Sequence, residues 1–210
     1  MKNKLILIGG GGHCQSVIDV VEATQQYEIV GVIDQAHKVG KKVSGYEIIG
    51  TDDQLSQFVH PEINFLITVG QIKDSRIRHV LYQKVQQAQG KLASVVSPRA
   101  QVSSRATIGE GSVVMHDALI NAHAQIGSNT IINTKALVEH GSYIGDHCHI
   151  ATGAIINGDC HVGHHTMIGS QATLVHGITV TERVVVGAGA VVTHALSEAG
   201  TYVGVPARKI

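Results

Sequence analysis

Apolar residues follow two different periods along the 210-residue chain, and the change between them falls near Ser97. Before that point, three short apolar runs predict β-strands, at residues 5–8, 29–33 and 65–69. Apolar residues at helical spacing predict two α-helices, at residues 15–24 and 74–89. Their expected inward-facing stripes are Val17, Val20 and Val21 in the first helix and Ile77, Val80, Leu81 and Val85 in the second. The alternation of strand and helix indicates a small parallel α/β unit.

From Val96 to Val191 the chain divides into consecutive blocks of six residues without an insertion. Each block opens with Val, Ile or Leu, its fifth residue is small in nearly every block, and its second is often Gly or Asn. This hexapeptide repeat predicts a parallel β-helix in which about three blocks form one coil, so that residues about eighteen apart stack. We expect the first position to point inward, and Gly or Asn at the second position to adopt the unusual turn dihedrals.

The change of period predicts two domains, residues 1–95 and residues 96–210. Acids and bases balance at 16 each, which gives no support to nucleic-acid binding. The low aromatic content of 3% favours a narrow interior of small and β-branched side chains. Cys14, Cys148 and Cys160 are too few for a disulfide framework and predict a reduced, cytoplasmic protein. The N-terminus lacks the features of a signal peptide, and no apolar stretch is long enough for membrane insertion.

The stretch GGGGHC at residues 9–14 follows the first predicted strand and precedes the first helix. Such a turn exposes backbone N–H groups at a helix N-terminus, where a phosphate binds favourably. The dinucleotide spacing G-x-G-x-x-G fails at Cys14 and the unit is small, so a mononucleotide fits better. Asp34 ends the second strand, where a carboxylate can accept hydrogen bonds from a ribose or a uracil. Two plainer interpretations stay open: a tight turn with His13 on the surface, and a strand-end acid without a ligand.

His140 lies in the block VEHGSY, two places after an inward-facing Val, and is therefore expected to point outward. One coil away, Gly158 should stack on the same edge with its backbone N–H uncovered, as an oxyanion donor requires. Histidine as a residue type titrates near neutral pH and suits proton removal from an attacking amine. A surface histidine on a histidine-rich chain is the alternative interpretation.

Five stretches together carry a resemblance to a known family: GGGGHCQSVIDVV, VIDQ, INTKALVEH, IGDHCHIATGAIINGDCHVG and the terminal VGVPARKI. The chain resembles the sugar acetyltransferases of the sialic-acid acetyltransferase type, and most of all those that N-acetylate nucleotide-linked 4-amino-6-deoxy sugars. The resemblance covers essentially the whole chain. It implies a left-handed β-helix, acetyl-CoA as cosubstrate, no metal, and a homotrimer with active sites in the clefts between prisms.

The resemblance also implies roles for individual residues, with His140 as the general base of a direct transfer that needs no cysteine nucleophile. The implied contacts to the nucleotide sugar are Gly10, Gly11, Gly12, His13, Asp34, Gly70 and Asn133. The implied contacts to CoA are His149, Gly158, Gly187, Gly204, Pro206 and Arg208, with Lys209 as an alternative to Arg208. His140 and His149 are half a coil apart, so they are expected to meet only across two chains.

One position departs from the family pattern. Related enzymes usually carry Glu or Asp directly after the catalytic histidine, whereas this chain has Gly141. One coil further along the chain, the residue that stacks on Gly141 is Asp159. We therefore expect Asp159 to orient His140 from the neighbouring coil, with Glu139 as the other candidate.

The predicted function is acetyl-CoA-dependent N-acetylation of the 4-amino group of a nucleotide-linked 4-amino-4,6-dideoxy sugar, with UDP as the expected nucleotide. O-acetylation of sialic acid is the alternative acceptor reaction. A trimeric γ-type carbonic anhydrase is a second alternative, with zinc bound by histidines drawn from His147, His149, His161, His164 and His165. A nucleotide-sugar-binding or scaffolding protein without activity is the third, and Gly141 is its only support.

Overall fold

The computed structural model describes residues 2–210 and begins with a layered α/β unit. Its strands are β1 (Asn3–Ile8), β2 (Tyr27–Ile33), β3 (Lys42–Val43), β4 (Tyr46–Gly50), β5 (Ile63–Ile67) and β6 (Lys91–Leu92). They form a sheet in the order β3-β4-β2-β1-β5-β6, which is parallel except for the β3–β4 hairpin. The helices of the unit are α1 (Gly12–Thr24), α2 (Arg76–Gln87) and the 3-10 helices Ala36–Lys38 and Asp52–Phe58.

The predicted strands and the first helix are confirmed, with shifts of a few residues at their ends. The three predicted strands correspond to β1, β2 and β5. Val17, Val20 and Val21 of α1 are fully buried, as their spacing predicted. The pattern missed β3, β4 and β6, because these short strands mix Lys, Glu and Tyr with their apolar residues.

The apolar stripe predicted for α2 is wrong in half of its members. Leu81 and Val85 are buried, whereas Ile77 and Val80 are 65% and 49% exposed. The buried side of the helix is rotated because Arg78 turns inward and is 1% exposed. Its guanidinium donates to carbonyl oxygens at the end of β5 and in the repeat region, and these bonds compensate for burying a charge.

From Val95 onward the chain winds into a left-handed parallel β-helix, a prism with three faces. The first face contains Val95–Val96, Val113–Val114, Ile131–Ile132, His149–Ile150, Met167–Ile168, Val184–Val186, Gly200–Val203 and the antiparallel Arg208–Lys209. The second face contains Gln101–Val102, Leu119–Ile120, Leu137–Val138, Ile155–Ile156, Thr173–Leu174 and Val191–Val192. The third face contains Thr107–Ile108, Gln125–Ile126, Tyr143–Ile144, His161–Val162 and Thr179–Val180.

Successive coils stack in the register that the repeat predicted. Val113 pairs with Ile131, and Ile131 pairs with His149. The first block position points inward and the fifth packs beside it, as in Ile150 and Ala154, which are both 0% exposed. We name the turns between faces in chain order: the first corner joins the first face to the second, the second corner joins the second to the third, and the third corner leads back to the first.

The role expected for glycine at the second block position is wrong. Positive φ occurs at the fourth position instead, for example at Asp117 (59°) and His147 (57°). Glycine is needed at the second position because consecutive coils approach each other closely there. A Cβ added at Gly127 would lie 2.6 Å from the backbone nitrogen of Asp146 in the next coil.

The α/β unit and the prism share a hydrophobic core. Val17 and Val20 of α1 belong to one cluster with Val113 and Ile131 of the first face. The first prism strand, Val95–Val96, spans the predicted domain boundary, so the division at residue 95 stays a prediction. The three cysteines are free thiols in the interior. Within residues 2–210, neither helix combines the length and the apolar content that crossing a bilayer requires.

Candidate active site

A pocket of about 630 Å³ lies where the α/β unit meets the first corner of the prism. Its wall includes every residue predicted to contact the nucleotide sugar, and His149 as well. The predicted set in the wall is Gly10, Gly11, Gly12, His13, Asp34, Gly70 and Asn133. Residues that lie far apart in the sequence therefore converge, and a single chain builds this pocket.

The glycine loop leaves the start of α1 open toward the pocket. Gly11 is the N-cap of α1, and no side chain of residues 2–210 caps the helix there. The first backbone N–H groups of a helix have no partner within the helix and attract an anion. At Gly11 and Gly12 an added Cβ would meet no atom within 4 Å, so a ligand can approach this backbone closely. The loop is therefore suited to a phosphate group.

Asp34 binds the backbone of the glycine loop and forms an ion pair with Lys38 at the pocket wall. Its Oδ2 atom accepts from the Gly10 N–H at 2.8 Å and from Lys38 Nζ at 2.9 Å. Burial opposes ionisation, but these bonds and one from the Gln35 N–H outweigh it and lower the pKa of Asp34. The carboxylate is 9% exposed and shapes the loop, while Lys38, which the sequence interpretation missed, lines the pocket. Direct contact of Asp34 with a ribose or a uracil stays a prediction.

His149 links the loop after β5 to the prism. Its Nδ1 atom lies 2.6 Å from the Gln71 carbonyl oxygen, which can only accept, so Nδ1 carries the proton. Its Nε2 atom then accepts from the Asn133 side-chain nitrogen at 3.0 Å. Burial lowers the pKa of His149 to about 4, so the ring stays neutral with both nitrogens occupied. This geometry suits a residue that positions others rather than one that accepts a proton.

His13 and Gln71 bring unpaired polar atoms to the wall of the pocket. Within residues 2–210, His13 Nε2 and both amide atoms of Gln71 are buried without a hydrogen-bond partner. Burial, together with the neighbouring charges of Arg78 and His149, lowers the pKa of His13 to about 3. Gln71 is 2% exposed, and no feature of the sequence singles it out, because a polar residue after a strand is ordinary in a loop.

A cluster of polar side chains beside the pocket clamps α2 to the third corner. Arg78 donates to the side-chain oxygen of Asn129 at 2.6 Å. His147 lies 2.9 Å from Asn129 through Nδ1 and 3.1 Å from His79 through Nε2. Burial, and then the nearby rings of His165 and His79, lower the pKa of His147 to about 4. We call this group the junction clamp: Arg78, His79, Asn129, His147 and His165.

His140 lies at the second corner, away from the pocket, with a side chain that is 57% exposed. Asp159 Oδ1 lies 4.0 Å from His140 Nδ1, one coil along the prism. A Cβ added at Gly141 would collide with the same Asp159 oxygen, so the carboxylate fills the space that this glycine leaves open. Glu139 accepts from the Asn121 side chain at 2.7 Å, which favours Asp159 as the acid that orients His140.

Two further groups complete this edge of the prism. A Cβ added at Gly158 would lie 2.7 Å from the His140 ring, so the glycine backbone is directly beside the imidazole. No acceptor for the Gly158 N–H is present among residues 2–210. His176 Nε2 lies 3.7 Å from Asp159 Oδ2, so Asp159 stands between two histidines. The eighteen-residue spacing alone places His176 in one stack with His140 and Gly158. That His176 and His140 both approach Asp159 is apparent only from the structure.

The residues predicted to contact CoA lie at three places. His149 is in the pocket, and Gly158 is beside His140. The remaining four are toward the end of the chain: Gly187 at the first corner, Gly204 and Pro206 in the last hairpin, and Arg208 in its final strand. Gly158 therefore lies at a different corner of the prism from Gly187, and the contacts of these residues with CoA stay a prediction.

The last two basic residues differ in their partners. Lys209 Nζ is paired with Glu198 Oε2 at 2.7 Å. The Arg208 guanidinium donates to the backbone oxygen of Ala207 and, within residues 2–210, has no acidic partner. Arg208 is therefore the better suited of the two to bind a phosphate group.

The histidines that suggested a zinc enzyme make other contacts. His147 and His165 stack on each other at the third corner, and His161 stacks on Tyr143 on the third face. His164 Nδ1 lies 3.4 Å from the Asp146 carboxylate. In the part of the chain that the structure describes, no three His, Cys, Asp or Glu side chains converge as metal ligands. The zinc interpretation therefore has no geometric support in this chain.

Comparison with known proteins agrees with this two-part arrangement. Residues 4–85 match the family model described as PglD N-terminal domain. Residues 123–158 match the model described as bacterial transferase hexapeptide (six repeats). Residues 161–194 match the hexapeptide repeat of succinyl-transferase.

Three relatives illustrate the similarity. The acetyltransferase domain of PglB from Neisseria gonorrhoeae FA1090, solved with acetyl coenzyme A, is 30% identical with a TM-score of 0.93, and 100% of each chain is covered. A variant of perosamine N-acetyltransferase from Caulobacter crescentus, solved with CoA and GDP-perosamine, is 31% identical with a TM-score of 0.92, over 99% of this chain and 96% of that chain. UDP-N-acetylbacillosamine N-acetyltransferase from Bacillus subtilis (strain 168) is 31% identical over 118 residues, or 55% of this chain, and the match spans only 52% of that relative's length.

The prism of hexapeptide coils, the pocket beside it and these relatives define a class, the acetyl-CoA-dependent acetyltransferases. The chain belongs to the family of nucleotide-amino-sugar N-acetyltransferases that combine a PglD N-terminal domain with hexapeptide repeats. The predicted family, fold and use of acetyl-CoA are thereby confirmed.

Proposed function

We propose that the protein transfers the acetyl group of acetyl-CoA to an amino group of a nucleotide-linked sugar, with a UDP-linked 4-amino-4,6-dideoxy sugar as the expected acceptor. One observation carries the proposal: the glycine loop and two polar prism residues, Asn133 and His149, share one pocket. A nucleotide sugar fits this pocket because its diphosphate needs N–H donors and its sugar must reach the prism. The Caulobacter crescentus relative was solved with GDP-perosamine, which supports this class of acceptor.

The proposed chemistry is a direct transfer at the second corner. The sugar amine attacks the thioester carbonyl carbon, so that a C–N bond forms while the C–S bond breaks and CoA leaves as the thiolate. His140 accepts the proton that the amine loses, and the thiolate then takes up a proton from the imidazolium. The Gly158 N–H donates to the carbonyl oxygen as negative charge develops there. The support is geometric, because the Gly158 backbone lies beside the His140 ring on an open edge of the prism.

Asp159 is the proposed positioning residue for His140. Interaction through Nδ1 would leave Nε2 free to face the amine. The 4.0 Å separation is longer than a hydrogen bond, and both side chains are 57% exposed. We expect a small side-chain rotation to close this distance when substrates bind, because hydrogen bonds of catalytic groups are often long in the free enzyme.

The proposal requires two chains for each active site. The pocket lies at the first corner and His140 at the second corner, and two corners of one rigid prism cannot meet. In a homotrimer each prism presents its first corner to one neighbour and its second corner to the other, a heterologous contact that cyclic symmetry provides. A nucleotide sugar held by one chain would then reach His140 of the next chain.

CoA is proposed to lie along the cleft between two prisms. Gly187, Gly204 and Pro206 would line that cleft, and Arg208 would contact the phosphates of CoA, as its lack of an acidic partner within residues 2–210 allows. The cytoplasm is the expected compartment, in agreement with the free thiols of the three cysteines.

Release of free thiol from acetyl-CoA tests the proposal. The acceptors are UDP-, dTDP- and GDP-linked 4-amino sugars and free sialic acid, and the wild type is compared with His140→Ala. We expect fast turnover with one nucleotide-linked amino sugar and its loss in the variant. Turnover with sialic acid alone would assign O-acetylation, the alternative acceptor reaction. Absence of turnover with every acceptor would favour a binding protein.

A further inference from the structure

The pocket wall contains two hydrogen-bonded groups that differ in charge. The first joins Lys38 to Asp34 at 2.9 Å and lies beside the glycine loop. The second joins Gln71 to His149 at 2.6 Å and His149 to Asn133 at 3.0 Å, and all three residues are uncharged. The charged group and the loop suit a diphosphate, whereas the neutral group suits an uncharged part of the ligand.

Gln71 is the unsatisfied member of the neutral group. Its side chain is 2% exposed, yet neither amide atom has a partner within residues 2–210. His13 Nε2, in the same pocket wall, is buried and unpartnered as well. Buried polar atoms without partners are unfavourable and rare, and they mark places where a ligand or an ordered water belongs.

The unpaired atoms select the chemistry of their partner. The Gln71 amide offers two N–H donors and one oxygen acceptor, and His13 is neutral because burial lowers its pKa to about 3. An ionised phosphate oxygen only accepts, so it could pair with the N–H groups of Gln71 but would leave the buried amide oxygen without a donor. A hydroxyl group donates and accepts, carries no charge and matches this amide.

We propose that Gln71 binds a hydroxyl group of the acceptor sugar and thereby helps to determine which sugar the enzyme accepts. The inference rests on the proposed function, because it assigns the sugar of a nucleotide sugar to the prism side of the pocket. The backbone oxygen of Gln71 accepts from His149, so the residue is fixed in place, while its buried amide has no partner within residues 2–210 and needs one from the ligand.

The test compares wild type, Gln71→Leu, which removes the amide at similar volume, and Gln83→Leu as a matched control on the exposed side of α2. Calorimetry measures the Kd of the nucleotide amino sugar that turns over and of its nucleoside diphosphate without the sugar. Steady-state kinetics give kcat and KM, and thermal unfolding of the free proteins gives Tm. Gln71→Met, unbranched and of similar length, serves as a second variant if Gln71→Leu does not fold.

We expect Gln71→Leu to raise the Kd and KM of the nucleotide amino sugar about tenfold to a hundredfold, because the sugar hydroxyl loses its buried partner. The kcat should change little, since this contact exists equally in the ground state and the transition state. The Kd of the nucleoside diphosphate should not change. The Tm of the free variant should not fall, because an unpaired buried amide has been replaced by an apolar group.

Three results would overturn the inference. An unchanged Kd for the nucleotide amino sugar would show that the amide does not contact the ligand. Equal weakening for the nucleoside diphosphate would move the contact from the sugar to the nucleotide. A lower Tm with unchanged affinity would make the amide structural. Failure of the wild type to bind or acetylate any nucleotide amino sugar is a separate result, which rejects the proposed function and this inference with it.

Discussion

The pocket and the second corner both contain histidines, but the two environments differ. In the pocket, burial lowers the pKa of His13 to about 3 and of His149 to about 4, so both rings are neutral. At the second corner the His140 side chain is 57% exposed, lies beside Asp159 and is open to solvent and substrate. A neutral buried ring is suited to hold neighbouring groups in place, whereas an exposed ring beside a carboxylate is suited to accept a proton. The contrast supports the proposal that the pocket binds the substrate and that the second corner carries out the proton transfer.

The largest expected effect is the loss of proton transfer in His140→Ala. We expect kcat to fall about 10²- to 10⁴-fold, since a positioned general base contributes that much, while the Kd of the nucleotide sugar stays the same. Thiol release and calorimetry measure the two quantities. His60→Ala is the control, because His60 precedes β5 and so lies at the opposite end of the sheet from the glycine loop. A similar fall in kcat in both variants would show that the loss is not specific to His140 and would contradict its role as the general base.

The junction clamp should make folding sensitive to acid. The pKa of His147 is about 4 in the folded state and about 6.5 when unfolded, so the unfolded chain binds the proton first as the pH falls. Stability is therefore fully present above pH 6.5 and decreases between pH 6.5 and 4, by about 2–3 kcal/mol for this residue. Urea unfolding at a series of pH values measures the slope, and His147→Gln should flatten it. If the free energy of unfolding depends on pH equally in His147→Gln and wild type, the junction clamp does not favour the neutral form of the His147 ring.

An added methyl group at Gly158 should impair catalysis without impairing binding. A Cβ there would lie 2.7 Å from the His140 ring and would displace the imidazole from the backbone N–H. We expect Gly158→Ala to lower kcat about tenfold to a hundredfold, within the range of a displaced oxyanion donor or base. Its Kd for the nucleotide sugar should equal that of the wild type. A kcat within a factor of about two of the wild type would contradict the oxyanion role.

The smallest effect is expected for the acid that orients His140. Asp159→Asn should lower kcat about tenfold and change the pH dependence of kcat, because the carboxylate no longer fixes the imidazole. Glu139→Gln is the comparison variant, since Glu139 accepts from the Asn121 side chain and from the His140 backbone N–H but not from the ring. If Asp159→Asn and wild type share both rate and pH profile, the carboxylate does not orient His140.

The prism could be predicted almost completely from the sequence, whereas the contacts between the α/β unit and the prism could not. The repeat set the register of the coils, and the inward Ile150 and Ala154 follow from block position. The expectation that glycine at the second block position adopts unusual turn dihedrals was wrong at Gly127. The close approach between coils that requires glycine there is apparent only when two coils are stacked. The stripe of α2 failed at Ile77, because the burial of Arg78 depends on carbonyl groups of two distant segments. Gln71 was missed for the same reason, because the lack of partners for its amide is apparent only when the loop after β5 packs against His149.

Complementation between two inactive variants tests most directly whether each active site is shared by two chains. One variant is His140→Ala, and the other is Gly11→Trp, which fills the pocket at a position where an added Cβ meets no atom within 4 Å. Equal co-expression should restore about a quarter of the wild-type activity, because half of the pockets and half of the bases are intact and they combine at random between neighbours. No recovery in mixed trimers would contradict the shared site and would require the pocket and His140 to act within one chain.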